Sequence, residues 1–129
     1  MLLKRIEEYD HIYIACGYTD MRKGIDGLVS IIENQHKHDP FGNSIFLFCG
    51  RRRKFFKALT WEGNGFSLYY RRFDGQGASL RWPMKESEME DITIAQLNAL
   101  LTGFAVFPNE GFERIGNGQL DHLRGKNVV

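Results

Sequence analysis

Apolar residues fill every position from Ile45 to Cys49, a run too short for a helical stripe and rich in aromatic side chains. A strand buried on both faces produces such a run, which places it centrally in a sheet. Upstream, residues 12–16 form a second predicted strand of β-branched and aromatic character. Gly17-Tyr18-Thr19-Asp20 then turns the chain, and Thr19 or Asp20 is placed to cap a helix. Ile25, Leu28, Val29 and Ile32 recur at the i, i+3, i+4, i+7 spacing, which predicts that helix over 21–35. Gly24 and Gly27 inside it cost about 1 kcal/mol each relative to alanine, a penalty explained if this face lies close to a strand. His38-Asp39-Pro40-Phe41-Gly42-Asn43 is a turn by composition.

After the central run the alternation switches to a hairpin. Asn64-Gly65 is flanked by β-formers, and both residues tolerate the positive φ of a type I′ turn, so strands are predicted over 55–62 and 66–73. A two-residue loop sets Gly63 opposite Phe66, Trp61 opposite Leu68, Leu59 opposite Tyr70 and Lys57 opposite Arg72. That face is the expected core. The other face carries Thr60 with Tyr69, Ala58 with Arg71 and Phe56 with Phe73, and is free to stay in water. Asp74-Gly75-Gln76-Gly77 makes a second turn, and residues 80–82 form a strand that Pro83 ends. Residues 85–91 read as a solvated acidic connector. Thr93 caps a helix over 94–101, with Ile94, Leu97 and Leu101 on one face and Gly103 past its end. The fold class that results is α+β: a mainly antiparallel sheet with a basic β-hairpin, one long helix packed on a face and a shorter C-terminal helix. The long early helix also allows one parallel pair. Residues 1–108 form a single domain, and the polar, glycine-rich residues 109–129 have a composition that permits disorder.

A length of 129 residues with 43% hydrophobic and 13% aromatic content suits one domain with a real core. No window approaches the ~20 apolar residues of a membrane span, and no signal-peptide core is present, so a soluble, cytoplasmic protein without a membrane partner is expected. Cys16 and Cys49 both end apolar runs, which reads as buried, reduced thiols. His36 and His38 share a polar loop with no second cluster to complete a metal site, and neither metal nor cofactor is expected.

Charge changes the picture more than composition does. Residues 51–82 hold Arg51, Arg52, Arg53, Lys54, Lys57, Arg71, Arg72 and Arg81 against Glu62 and Asp74, a local excess of +6 hidden inside a net charge of +1. Such segregation is an electrostatic footprint for phosphate. Charged strands also discourage edge-to-edge pairing, which is the structural alternative. Arg22 and Lys23 lie in the first turn of the predicted helix, where the dipole disfavours cations unless something anionic is near; Asp20 is one such group.

A set of motifs sharpens this reading. Thr19-Asp20-Met21-Arg22-Lys23-Gly24 with Asp26-Gly27-Leu28, then Asp39-Pro40-Phe41, Arg51-Arg52-Arg53, Trp61-Glu62-Gly63-Asn64-Gly65-Phe66, Leu68-Tyr69-Tyr70 and Arg81-Trp82-Pro83 occur in one order. Together they resemble the TnpB-type accessory protein of the insertion sequence sixty-six family of bacterial transposable elements, over about residues 10–108. The resemblance implies a three-gene cassette in which a separate, larger protein carries the acidic-triad transposase chemistry. It implies that the small protein is needed for transposition, and it assigns that protein no mechanism.

The residues themselves offer little catalytic chemistry. Strand transfer needs converging carboxylates that hold divalent cations. Asp20 and Asp26 are six apart, Glu62 and Asp74 sit near opposite ends of the hairpin, and Glu86, Glu88, Glu90 and Asp91 belong to the connector. No Ser, Cys or His stands in a nucleophile-and-base setting, so no enzyme is expected. Two readings of different class follow. In one, the basic face binds DNA, with Arg51, Arg52, Arg53, Lys54, Arg71 and Arg72 on phosphate, Lys57, Arg81, Arg22 and Lys23 adding to the field, and Tyr69 or Trp82 stacking on an unpaired base. In the other, the protein is an assembly factor whose positive surface docks on the transposase of the same element. No helix is rich in basic residues, so a major-groove recognition helix is not indicated.

Overall fold

The computed structural model describes residues 4–75, 80–85 and 88–103. A short 3₁₀ turn, Ile6–Glu8, leads into strand β1 (His11–Ala15) and helix α1 (Ile25–Ser30), which continues as a π-helical segment, Ile31–Gln35. Strands β2 (Ser44–Cys49), β3 (Phe55–Trp61), β4 (Phe66–Arg72) and β5 (Met89–Ile92) follow, and helix α2 (Ile94–Leu101) completes the described fold. The fold is α+β, with a five-stranded mixed sheet in the order β4-β3-β2-β1-β5. β1 and β2 run parallel, joined by the helical crossover, and the other three pairings are antiparallel.

Alternation along β2 explains why it is central. Phe46 and Phe48 point into one core with Leu28, Ile32, Ala15 and Leu59, beneath α1. Ile45, Leu47 and Cys49 point into a second core with Ile12, Ile14, Phe56, Trp82, Leu97 and Leu100, beneath α2 and the 80–85 segment. Burial on both faces is what an uninterrupted apolar run requires. Cys16 and Cys49 are both buried, and burial pushes the Cys49 thiol up to about 12.

α2 matches its predicted span. The Thr93 side chain accepts from the Gln96 N–H at 3.0 Å while the Gln96 side chain accepts from the Thr93 N–H at 2.8 Å, a reciprocal cap. Leu97 and Leu100 carry its buried face.

The early helix differs from the expectation of one long α-helix over 21–35. It begins at Ile25, with Gly24 as an extended N-cap. The cause lies in β3: the Lys57 ammonium donates to the Met21 carbonyl at 2.9 Å and to the Lys23 carbonyl at 3.1 Å. Those are carbonyls a helix starting at Met21 would have used for its own first turn. Asp20 does not cap it either; its carboxylate instead accepts from the Arg22 N–H two residues on, at 3.0 Å. Nor do the glycines mark a close strand. A Cβ at Gly24 would meet nothing within 4 Å, and one at Gly27 would meet the Lys23 side chain at 3.0 Å.

Two further expectations are corrected in the sheet. Trp61 pairs with Phe66, Leu59 with Leu68, Lys57 with Tyr70 and Phe55 with Arg72, so the hairpin loop spans four residues, 62–65, rather than two. Glu62 N–H donates to the Gly65 carbonyl at 2.8 Å, and the positive φ of +93° falls on Gly63 rather than on Asn64 or Gly65. The pairing slips by two residues, so the sets sharing a face survive while every partner changes. On the face expected to be wet, the β3 residues Phe56, Ala58 and Thr60 are buried, with Leu80, Trp82 and Phe73 packed into the same core, while Tyr69 and Arg71 of β4 are exposed.

Residues 80–82 are not a strand but a cover strap, held by Leu80 N–H on the Arg53 carbonyl at 2.8 Å. The fifth strand lies instead in the acidic stretch read as a connector. β1 has an open edge there, and Met89–Ile92 fills it, with Ile92 buried opposite Ile12 and Asp91 bound to His11 at 2.7 Å. The Asp74–Gly77 turn lies partly outside the described residues, as does the whole of the 109–129 tail. Among the described residues, no helix is long and apolar enough to cross a membrane.

Candidate nucleic-acid interface

Parallel pairing of β1 and β2 brings their carboxyl ends side by side. From there the chain leaves as two loops, 16–23 and 50–54, tied by the Thr19 N–H to the Cys49 carbonyl at 2.9 Å. The start of β3 and the end of β4 reach the same edge, since Phe55 faces Arg72 and Phe56 faces Arg71. Leu80, bonded to the Arg53 carbonyl, brings Arg81 there as well. Cations distant in sequence therefore converge at one end of the sheet, the end where open α/β sheets place their ligand crevices.

Arg51, Arg52, Arg53 and Lys54 are all exposed on the 50–54 loop. Arg53 holds a left-handed backbone, φ +56°, with its N–H on the Gly50 carbonyl at 3.1 Å. The loop is therefore a sharp turn that fans its arginines outward rather than a continuation of either strand. The Arg51 guanidinium lies over the Tyr18 ring, 5.4 Å from its centroid. Arg71 lies over Phe73 at 5.0 Å, and Arg72 is paired with Asp74 at 2.8 Å. Lys23 and Arg81 are exposed.

Arg22 forks onto Asp20 with Nε and Nη2 both at 2.9 Å, while remaining 91% exposed. Hydrogen bonds from the Arg22 side chain, then from its backbone, hold the Asp20 carboxyl well below the usual carboxylate range. Arg22 and Lys23 thus precede α1 rather than occupy its first turn, and Asp20 is the partner of Arg22.

Two sequence-derived candidates have other occupations. Lys57 spends its ammonium on the Met21 and Lys23 carbonyls, so it fixes the 21–23 loop instead of facing solvent. Trp82 is 3% exposed, and its indole N–H donates to the Ala15 carbonyl at 2.8 Å, which leaves no ring face for a base. Tyr69 is exposed, but the strand alternation puts it on the face of Ala58, away from the 16–23 loop.

Besides Phe73 under Arg71, the aromatic residues that sit beside the cations are Tyr18, Phe55 and Tyr70. Tyr70 is 52% exposed and packs on Phe55 with ring centroids 4.9 Å apart. Between the two loops lies a cleft of about 680 Å³. Tyr18, Asp20, Arg22, Arg51, Arg52 and Phe55 line it, over a floor that includes Gly50 and Met21. The sequence put Tyr70 on the core face of the hairpin, which its exposure corrects, and did not single out Tyr18 or Phe55, because bringing the loop after β1 beside the start of β3 depends on the parallel β1–β2 pair; the one available signal was Tyr18 in a turn directly after a strand. Among the described residues, no three His, Cys, Asp or Glu side chains are grouped to hold a metal ion.

Comparison with known proteins places this architecture in context. The IS66 Orf2-like protein family matches residues 10–110, which include every cation named above. The chain belongs to that family. Among curated proteins, the uncharacterized protein y4hO of Sinorhizobium fredii (strain NBRC 101917 / NGR234) is 35% identical over 92 residues, covering 71% of this chain and 78% of the relative. The uncharacterized protein y4jC of the same strain is 32% identical over 57 residues, covering 44% of this chain and 49% of the relative. No solved structure matches. Membership in the IS66 Orf2-like family associates the chain with transposition of an insertion sequence in an accessory role.

Proposed function

We propose that this IS66 Orf2-like protein is a non-catalytic transposition factor that binds DNA through the cationic end of its sheet. The observation that carries the reading is convergence: the 16–23 loop, the 50–54 loop, the end of β4 and Arg81 meet at one edge although they span some sixty residues of sequence. Gathering like charges weakens folding through self-repulsion, and a polyanion that uses the resulting field is the compensation such a surface fits. The carboxylates nearest the cations, Asp20 and Asp74, are each engaged by an arginine, which favours a binding role over a metal-holding one. Contacts of this kind grip the backbone and position the duplex; they carry no base-sequence readout.

The test is fluorescence anisotropy on duplex DNA across a salt series, with circular dichroism as the folding control. Neutralising about five phosphates gives a slope of log K against log salt of roughly −4 to −5. Replacing Arg51, Arg52 and Arg53 together with glutamine should flatten that slope by up to about 3 while leaving the fold intact, since exposed arginines add little stability. An unchanged slope and affinity in the folded triple variant overturn the DNA reading. They transfer the surface to the transposase of the same element as its docking partner.

A further inference from the structure

The cleft between the two loops is not explained by a phosphate grip alone. Its volume of about 680 Å³ falls within the ~300–1,000 Å³ of ordinary small-molecule sites. Its lining mixes two aromatic rings with arginines and one carboxylate, Asp20. A bare phosphate would gain nothing from the rings. An unpaired nucleotide uses both the rings and the arginines, because a base has π-faces for aromatic and guanidinium planes while its phosphate suits arginine.

The walls are also held in place. Tyr18, 38% exposed, is covered on one side by Arg51 and keeps part of its ring open. Phe55 is buttressed by Tyr70. The 16–23 loop is fixed from three directions: by Thr19 on the Cys49 carbonyl, by Lys57 on the Met21 and Lys23 carbonyls, and by Arg22 on Asp20. The floor is tight, since a Cβ at Gly50 would come within 2.6 Å of the Met21 side chain. A preorganised cleft loses little conformational freedom when a ligand enters.

We propose that this cleft takes one unpaired nucleotide of a DNA strand, its base between Tyr18 and Phe55 and its phosphate on Arg51 and Arg52. The inference rests on the DNA-binding reading and adds to it a strand-end or unpaired position as the structure recognised. A base within a duplex is stacked and out of reach, so duplex affinity comes from the surrounding cations and base-dependent affinity from the cleft.

The experiment compares one short duplex in three forms by anisotropy: blunt, with a single 3′ unpaired deoxythymidine, and with an abasic residue at that overhang. The unpaired base should tighten binding roughly tenfold over the abasic form, the size expected for one base stacked on an aromatic side chain. Tyr18→Ala should remove the difference between the base-bearing and abasic overhangs. Equal affinity for base and abasic overhangs, with blunt duplex still bound, overturns the cleft assignment and leaves the DNA reading standing. Absence of binding to all three forms removes both. Free deoxythymidine monophosphate binding as tightly as the overhang overturns the assignment to a DNA strand. Because the three-way comparison uses the unaltered protein, a variant that misfolds does not decide the result.

Discussion

Trp82 and Lys57 show how a residue of the right type for recognition becomes a structural one. Each has a polar group that burial or half-burial obliges to find a partner, and each finds a backbone carbonyl. Trp82→Phe keeps most of the apolar ring, yet it removes the donor to the Ala15 carbonyl and opens a small gap. It should lower stability by roughly 1–3 kcal/mol in urea titration, with single-stranded DNA affinity of the folded protein unchanged. A loss of affinity there would restore Trp82 as a contact. Lys57→Met should cost about 1 kcal/mol, less than a fully buried charged hydrogen bond. It should leave the salt slope of duplex binding unaltered, whereas losing a true phosphate contact would reduce that slope by about 1.

The hairpin of β3 and β4 carries a difference between two turns that share one sequence. A type I′ turn at Asn64-Gly65 would make Gly65 the residue that cannot accept a side chain. In the four-residue loop the left-handed position is Gly63, at φ +93°, with open space around both glycines. Gly63→Ala should therefore cost about 1–2 kcal/mol through backbone strain. Gly65→Ala should be neutral or stabilising by up to about 1 kcal/mol, because it restricts only the unfolded chain. Thermal or urea unfolding of the two variants separates the registers, and the opposite ranking would restore the two-residue loop. β5 makes a related point at the other edge. Its Glu90 and Asp91 discourage further strand addition while Met89 and Ile92 pack inward, so an acidic edge strand looks like a linker when only its charges are read.

At the scale of the whole molecule, the described residues hold no group of three His, Cys, Asp or Glu side chains fit for a metal ion, while the cations are assembled at one end of the sheet. The expectation is a protein that binds DNA without cutting it. Supercoiled plasmid incubated with the pure protein and Mg²⁺ or Mn²⁺ should stay supercoiled. Nicking that is lost in Asp20→Ala or Asp26→Ala would show a carboxylate-dependent nuclease and overturn this view.

Periodicity and local chemistry in the sequence determined the α+β class, the central burial of residues 45–49, the capped helix after Thr93, the existence of the hairpin and the clustering of charge between Arg51 and Arg81. Each of these follows from side chains a few residues apart, where spacing alone decides which face is apolar or which donor meets which acceptor. The tertiary structure alone decided the rest. The start of α1 depends on Lys57, more than thirty residues away. The fifth strand depends on an open edge of β1, and the burial of Trp82 on a sheet face that a strap happens to cover. The cleft of Tyr18, Phe55 and the arginines exists because two parallel strand ends lie side by side. These features rest on contacts between distant segments, whose closure is set by the packing of the whole core and leaves no trace in local pattern.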